Sequence, residues 1–217
     1  MPECQETQSN VGRPTTQAAP LSRASITDAA IDFIEENGLA RLSMRALATS
    51  LGCGTMSLYS HVQNRDDLIA AIVQELLERS RLLDVTATDF GSWQELISAS
   101  LFAYRDLASA YPDSFELLAL APYGIAPVVE HLEGMAAALH RTGLPTERAY
   151  EVLGALDAYA TGFLMVWART QSLQPKVVSE ESSPLTNLRT LAAFEHSLQV
   201  FITGFEHEFG ETSPPEP

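Results

Sequence analysis

The stretch SMRALATSLGCGTMSLYSHVQNRDDL, residues 43–68, decides how the chain folds. Ser43 is a good N-cap, and Met44, Leu47, Ala48 and Leu51 recur behind it at helical spacing, so the pattern predicts a short helix that Gly52 ends. Two residues later Gly54 opens a second short helix carrying Leu58 and Val62. At positions i and i+4 these two point together into a small core, which turns Thr55, Met56 and Tyr59 outward. Asn64 then caps a long helix running to about Leu83, with Asp66 and Asp67 in its first turn, where the helix dipole favours anions. Two short helices joined through Leu51-Gly52-Cys53 and flanked by longer ones form a helix-turn-helix unit, whose second short helix would enter a major groove. An outward tyrosine beside small polar residues suits contact with base edges and phosphates. On spacing alone the segment is equally a helical hairpin in a bundle with an incidental surface tyrosine.

Working outward, the chain of 217 residues reads as helical almost throughout. No stretch sustains the period-two alternation of a half-buried strand, so the fold class is all-α. Residues 1–20 are rich in Gln, Thr, Ser and Pro and read as a mobile arm. Ser22 caps a first helix that places Ile26, Ala30 and Phe33 on one face and stops at Asn37-Gly38. Beyond the fourth helix, Gly, Pro and polar clusters divide the chain into helices near Ser92 to Ala110, Pro112 to Ala121, Pro127 to Arg141, Pro145 to Thr170 and Leu185 to Phe209. The segment QPKVVSEESSP, residues 174–184, reads as a mobile loop. The organisation is therefore an arm (1–20), a helix-turn-helix domain (21–66), a helical domain (67–210) and a tail (211–217).

The formal net charge of −15 argues against nucleic acid unless positive charge gathers locally. It does gather. The interval from Asn37 to Asn64 contains no acid while carrying Arg41 and Arg45, with Arg65 following. Residues 84–217 hold six basic residues against eighteen acids, so the acidity is concentrated there. Two cysteines, Cys4 and Cys53, cannot build a disulfide framework, and Cys53 in the turn reads as a small apolar filler. The first ten residues lack the basic and apolar regions of a secretory signal. The most apolar window, Val152 to Ala168, is interrupted by Asp157 and Thr161 and is too short to span a membrane. A cytoplasmic protein is expected.

These residues also carry a family resemblance. Leu21-Ser22-Arg23, Ser43-Met44-Arg45-Ala46-Leu47-Ala48, Leu51-Gly52 and above all Ser57-Leu58-Tyr59-Ser60-His61-Val62, with Asn64 and Arg65 leading into Leu68, resemble the DNA-binding domain of the tetracycline-repressor-like (TetR) regulators. The remaining 134 residues match more loosely, in length, helical pattern and the segment Gly143-Leu144-Pro145-Thr146-Glu147-Arg148-Ala149, which looks like the family's ligand-binding domain. The resemblance implies that Arg45 reaches a guanine edge, that Thr55, Met56 and Tyr59 read bases, and that Ser43, Ser57, His61 and Arg65 hold phosphates. Arg41 is as readily a solvated charge as a phosphate contact, His61 has a local capping or packing role as its alternative, and Arg13 in the arm is expected to touch nothing, with entry into a minor groove as its alternative. The partners implied are a double-stranded DNA operator, a second copy of the chain and a small-molecule effector.

In the acidic half, Val152, Leu156, Tyr159, Phe163, Val166 and Trp167 line one side of the long Pro145 to Thr170 helix, and the last helix repeats the pattern through Leu198, Phe201 and Phe205. In the family these two elements pair with their copies, which places Val152, Leu156, Leu198, Phe201 and Phe205 in a dimer interface. The aromatic residues Phe102, Tyr104, Phe115, Tyr123, Tyr159, Phe163 and Trp167 could line a cavity between the fourth helix and the Pro145 to Thr170 helix, although aromatics at helical spacing usually form core. The family's namesake binds magnesium-chelated tetracycline through histidines and a glutamate. At the corresponding places this chain carries Arg81, a residue near Leu118, and Val166, which counts against that ligand. No metal, cofactor or catalytic set is expected. His131 and His140 fall on opposite helix faces, His196 and His207 lie about 16 Å apart along one face, and Gly52-Cys53-Gly54 lacks the strand and third glycine of a dinucleotide loop. The remaining alternative is a helical carrier or scavenging protein that binds no specific DNA.

Overall fold

The structure, a computed structural model, describes residues 21–173 and 186–211, so the expected arm with Arg13, the loop 174–184 and the tail beyond Glu211 lie outside the described residues. Those described are helical with no strand among them, in the order α1 (Arg23–Asn37), α2 (Met44–Ser50), α3 (Thr55–Tyr59), α4 (Arg65–Arg79), α5 (Leu82–Ala87), α6 (Trp93–Ala110), α7 (Phe115–Ala119), α8 (Ala126–Arg141), α9 (Thr146–Leu173) and α10 (Leu191–Glu211). Short 3-10 turns at Leu39–Arg41 and Thr186–Arg189 complete the set.

The starts of α1, α2, α4 and α6 follow from their caps. The side chains of Ser22, Ser43, Asn64 and Ser92 each accept a hydrogen bond from a backbone N–H of the first turn, satisfying donors that the helix itself leaves open. Between α2 and α3 the chain reverses at Gly52, whose φ of +64° suits a residue without Cβ. The Cys53 amide bonds the Ala48 carbonyl at 3.0 Å across that reversal, so the turn closes on the end of α2.

Several boundaries differ from the sequence reading: α3 ends at Tyr59, before Val62, the last helix begins at Leu191 rather than Leu185, after the 3-10 turn Thr186–Arg189, and two further differences have a visible cause. The fourth helix ends at Arg79 rather than near Leu83, because Arg81 takes the left-handed conformation (φ 61°, ψ 8°) and starts α5 in a new direction. The Ser80 hydroxyl supports the break, donating to the Leu77 carbonyl at 2.6 Å and accepting from the Leu82 amide at 3.2 Å. The break turns Leu82 into the core. The seventh helix begins at Phe115 rather than Pro112, because residues 112–114 form turns in which the Asp113 and Ser114 amides donate to the Glu35 carboxylate.

Helix α4 belongs to both halves. It packs on α1 in the head and on α7 and α8 beyond, burying Leu68, Ile72, Val73, Leu76 and Leu77. In the body, α9 packs on α8, α6, α7 and α10, and the buried apolar residues of head and body form one continuous cluster. Among the described residues no helix is long and apolar enough to cross a membrane.

Candidate nucleic-acid interface and internal cavity

Helix α3 is a single short element with one fully buried side chain, Leu58, and Val62 is buried just beyond it. Anchoring by these two leaves Met56 80% and Tyr59 44% exposed, with Ser57 exposed and Thr55 half-buried beside them. Apolar side chains displayed this openly on a core-anchored helix lose burial free energy, a cost that contact with a partner would recover. Ser43 and Arg45 are exposed on the neighbouring start of α2, Arg65 at the first turn of α4, and His61 is half-buried between α3 and α4.

The orientation of α3 is held by Asp67. Its carboxylate takes a forked pair of hydrogen bonds from Arg23 of α1, at 2.6 and 2.8 Å, and a third from the Gln63 amide at 2.7 Å. Arg23 also donates to the His61 carbonyl at 3.3 Å, so the linker after α3 is clamped to α1. Hydrogen bonding from Arg23 and Gln63 holds the Asp67 carboxyl down at about 2. The pairing spans 44 residues, and no local pattern marks it; Asp67 read as a dipole residue and Arg23 only as part of a motif.

Charge is used differently in the two halves. Among the described residues Arg41, Arg45 and Arg65 form no ion pair or side-chain hydrogen bond, whereas Arg79, Arg81, Arg105, Arg141, Arg148 and Arg169 are all engaged by carboxylates or a carbonyl. These three cations face solvent without a partner on a stretch, Asn37 to Arg65, that contains no acid, with the exposed Asp66 next along the chain.

The body encloses a cavity of about 90 Å³ bounded by α4 to α9 and the loop after α7. Its wall is mainly aliphatic, and its polar groups are Ser100, Tyr104, Tyr123, His131 and Asp157. The Ser100 hydroxyl is spent on the Leu96 carbonyl, and the Tyr104 hydroxyl pairs with Thr161. Tyr123 donates to Asp157, and that hydrogen bond together with burial pushes the Tyr123 phenol up to about 12. His131 Nδ1 is buried with no hydrogen-bond partner among the described residues, and burial holds the imidazole below its ordinary range against the opposing pull of Asp157.

Of the seven aromatics proposed for a cavity, Tyr104 and Tyr123 line this one and five do not. Phe115 is core, its ring 4.9 Å from that of Tyr104. Phe102 lies on the outer face of α6 beneath the Arg105 guanidinium. Tyr159 and Phe163 instead join α9 to α10, where Tyr159 stacks on Phe194 at 5.3 Å and touches Phe201. Trp167 packs partly buried against the same core. The polar corner of His131 and Asp157 escaped the sequence reading, although a lone acid interrupting an apolar helix face was its available signal.

The residues read as an interface also divide. Val152, Leu156 and Leu198 are fully buried within the single chain, because the broadest apolar stripe of each helix faces its own neighbours, so they offer no surface to a second copy. Phe201 is exposed and Phe205 half-buried, and with Val200 and Gly204 they form an open groove along α10. The exposed face of α9 carries Gly154, Ala155, Ala158, Gly162 and Val166. Among the described residues no cluster of three or more His, Cys, Asp or Glu could hold a metal ion.

Residues 26–72 match the family model described as bacterial regulatory proteins, tetR family. The class D tetracycline repressor protein of Escherichia coli is 25% identical over 205 residues, covering 87% of this chain and 90% of that repressor. The crystal structure of TetR from Acinetobacter baumannii AYE superimposes with a TM-score of 0.71 at 23% identity, covering 87% of this chain and 98% of that one. The structure of BioQ with its double-stranded DNA operator gives a TM-score of 0.62 at 23% identity, covering 86% of this chain and 98% of that one. The matched residues fall on the clamped α1–α4 head, so the head carries a domain of the tetR family of bacterial regulatory proteins, and the helical body that follows shares the fold of these solved structures.

Proposed function

We propose that this protein is a homodimeric transcriptional regulator that represses by binding a palindromic operator through its head and releases it when an apolar small molecule enters the cavity of the body. The observation that carries the DNA-binding part is the unpartnered set Arg41, Arg45 and Arg65, which with the exposed Met56 and Tyr59 make up the solvent face of a stretch, Asn37 to Arg65, that contains no acid. In a chain of net charge −15 a carrier without DNA binding gains nothing from such a face, whereas phosphates supply the missing partners. Arg45 forks onto a guanine edge, Thr55, Met56 and Tyr59 meet base edges, and Ser43, Ser57, His61 and Arg65 position the backbone. The exposed groove of α10 and the small-residue face of α9 pair with their copies, setting the two heads one helical repeat apart.

Release follows from how the cavity is tied to the head. Leu118 and Ala119 of α7 and Leu77 of α4 form part of its wall. The start of α7 is bonded to the head, since Glu35 of α1 accepts from the Ser114 amide at 2.7 Å and the Asp113 amide at 3.3 Å. Arg79 at the end of α4 makes a second tie, pairing with Asp28 of α1 while donating to Tyr111 after α6. A cavity of about 90 Å³ is smaller than the roughly 300 to 1,000 Å³ of ordinary ligand pockets, so an effector must move α7 or α4 to enter. Either displacement shifts α1 and the spacing of the heads.

Selection of bound sequences from a random DNA pool with the full-length protein tests the reading directly. Recovery of a palindrome with half-sites about one helical turn apart is the expected result. Enrichment of no sequence over the starting pool would overturn it.

A further inference from the structure

The geometry points to a lipophilic amine, protonated and carrying its N–H groups at one end of an apolar body, as the class of molecule this cavity takes. The inference rests on the reading of the cavity as the effector site and adds the charge of the ligand. Three features of the wall carry it.

The first is the sign of the charge. Among the described residues no Lys or Arg lines the cavity, and Asp157 is its one carboxylate. Among the described residues Asp157 makes no ion pair; its recorded partner is the neutral Tyr123 hydroxyl. A carboxylate on an otherwise apolar wall is stabilised by an incoming cation and is repelled by an incoming anion, and partial burial magnifies both effects.

The second is the vacant acceptor. His131 Nδ1 lies in the same polar corner, buried and unbonded. With its proton on Nε2 the neutral imidazole presents Nδ1 as an acceptor, and an ammonium with N–H groups donates one hydrogen bond to it and one to Asp157. A quaternary ammonium satisfies the charge but leaves His131 unbonded, which places primary and secondary amines ahead of it. The third is the remainder of the wall, with Leu77, Ile97, Leu101, Val128, Met135 and Leu156 presenting aliphatic or thioether surface to an apolar body.

The test uses three probes with the same phenylbutyl body and different heads: 4-phenylbutylamine, 4-phenylbutan-1-ol and 4-phenylbutanoate. Each is titrated into full-length protein carrying labelled methionine methyls, where the Met135 signal reports the cavity and calorimetry gives the affinity. The amine should shift Met135 and bind about tenfold more tightly than the alcohol, and the carboxylate should bind more weakly than either. Asp157→Asn keeps the size and the Tyr123 contact, and should bring the amine within about threefold of an unchanged alcohol. Asp157→Glu, which restores the charge, should recover the preference. If all three probes shift Met135 with equal affinity, or Asp157→Asn leaves the amine's advantage intact, the charge assignment is overturned and the cavity reading stands. If none shifts Met135, both fall.

Discussion

The head and the body of this protein are built from the same kind of helix yet treat charge in opposite ways. In the body each arginine from Arg79 to Arg169 is held by a carboxylate or a carbonyl, whereas Arg189, exposed before α10, makes no ion pair among the described residues. In the head, Arg23 is spent on Asp67 to fix α3, while Arg41, Arg45 and Arg65 are left open. The difference separates the cations that organise the fold from those kept for a partner. It also reconciles the proposed DNA binding with a strongly acidic chain: over a Debye length of roughly 8 Å a duplex at the head would meet the cations of Asn37 to Arg65 and little of the distant acidic body.

The most forceful way to break this comparison is on DNA. Arg45→Ala and Tyr59→Ala should each weaken specific operator binding by roughly 1 to 3 kcal/mol per half-site, read by fluorescence anisotropy, with the fold unchanged. Arg65→Ala should weaken binding to all sequences alike and flatten the salt dependence, as loss of a phosphate contact does. Arg105→Ala and Arg148→Ala, in the paired set, should leave operator affinity where it was. Equal losses from Arg105→Ala and Arg45→Ala would erase the distinction between the two regions.

A smaller effect sharpens it at the junction. Glu35→Ala leaves the Ser114 amide without its acceptor at the start of α7, which should cost about 1 to 2 kcal/mol in chemical denaturation. Exchange of the Ser114 amide should accelerate, and an effector should act less strongly on operator affinity. Unchanged exchange would mean that Glu35 is not the tie.

Acid should act selectively on the head. The folded Asp67 carboxyl titrates at about 2 against an ordinary 3.8, so its contribution is complete above pH 4 and is lost as the pH falls toward 2. The pair is largely solvent-exposed, and after screening the contribution is about 1 kcal/mol. Arg23→Met should remove that part of the acid dependence, measured as the difference in stability between pH 5 and pH 2.5. An identical pH profile in the variant would overturn the clamp.

The smallest expected effect is at Arg81, the residue described with a left-handed backbone that is not glycine. Its contact with Asp84 is long, at 3.8 Å, and exposed on both sides. Arg81→Gly should therefore raise stability by up to about 1 kcal/mol through relief of strain. A lower thermal midpoint would show that the left-handed turn is not strained.

How far each region was legible follows the range of the interactions that build it. The caps Ser22, Ser43, Asn64 and Ser92, the stop at Gly52 and the inward pair Leu58 and Val62 are local, so spacing alone places them, and with them the outward Met56 and Tyr59. The all-helical class and the acid-free interval are likewise properties of the chain before it folds. The cavity is different, because its wall draws on six helices and helical periodicity says that Val152, Tyr159 and Leu156 share a side without saying what that side meets. Packing sent Tyr159 and Phe163 to α10, buried Val152 and Leu198 inside the chain, and brought His131 to the same corner as Asp157. The break at Arg81 and the clamp from Arg23 to Asp67 belong to that second group, since each is decided by contacts whose free energy exists only after distant segments meet. The sequence by itself determined which helices form and which face of the head stays open; tertiary structure decided what each apolar face covers.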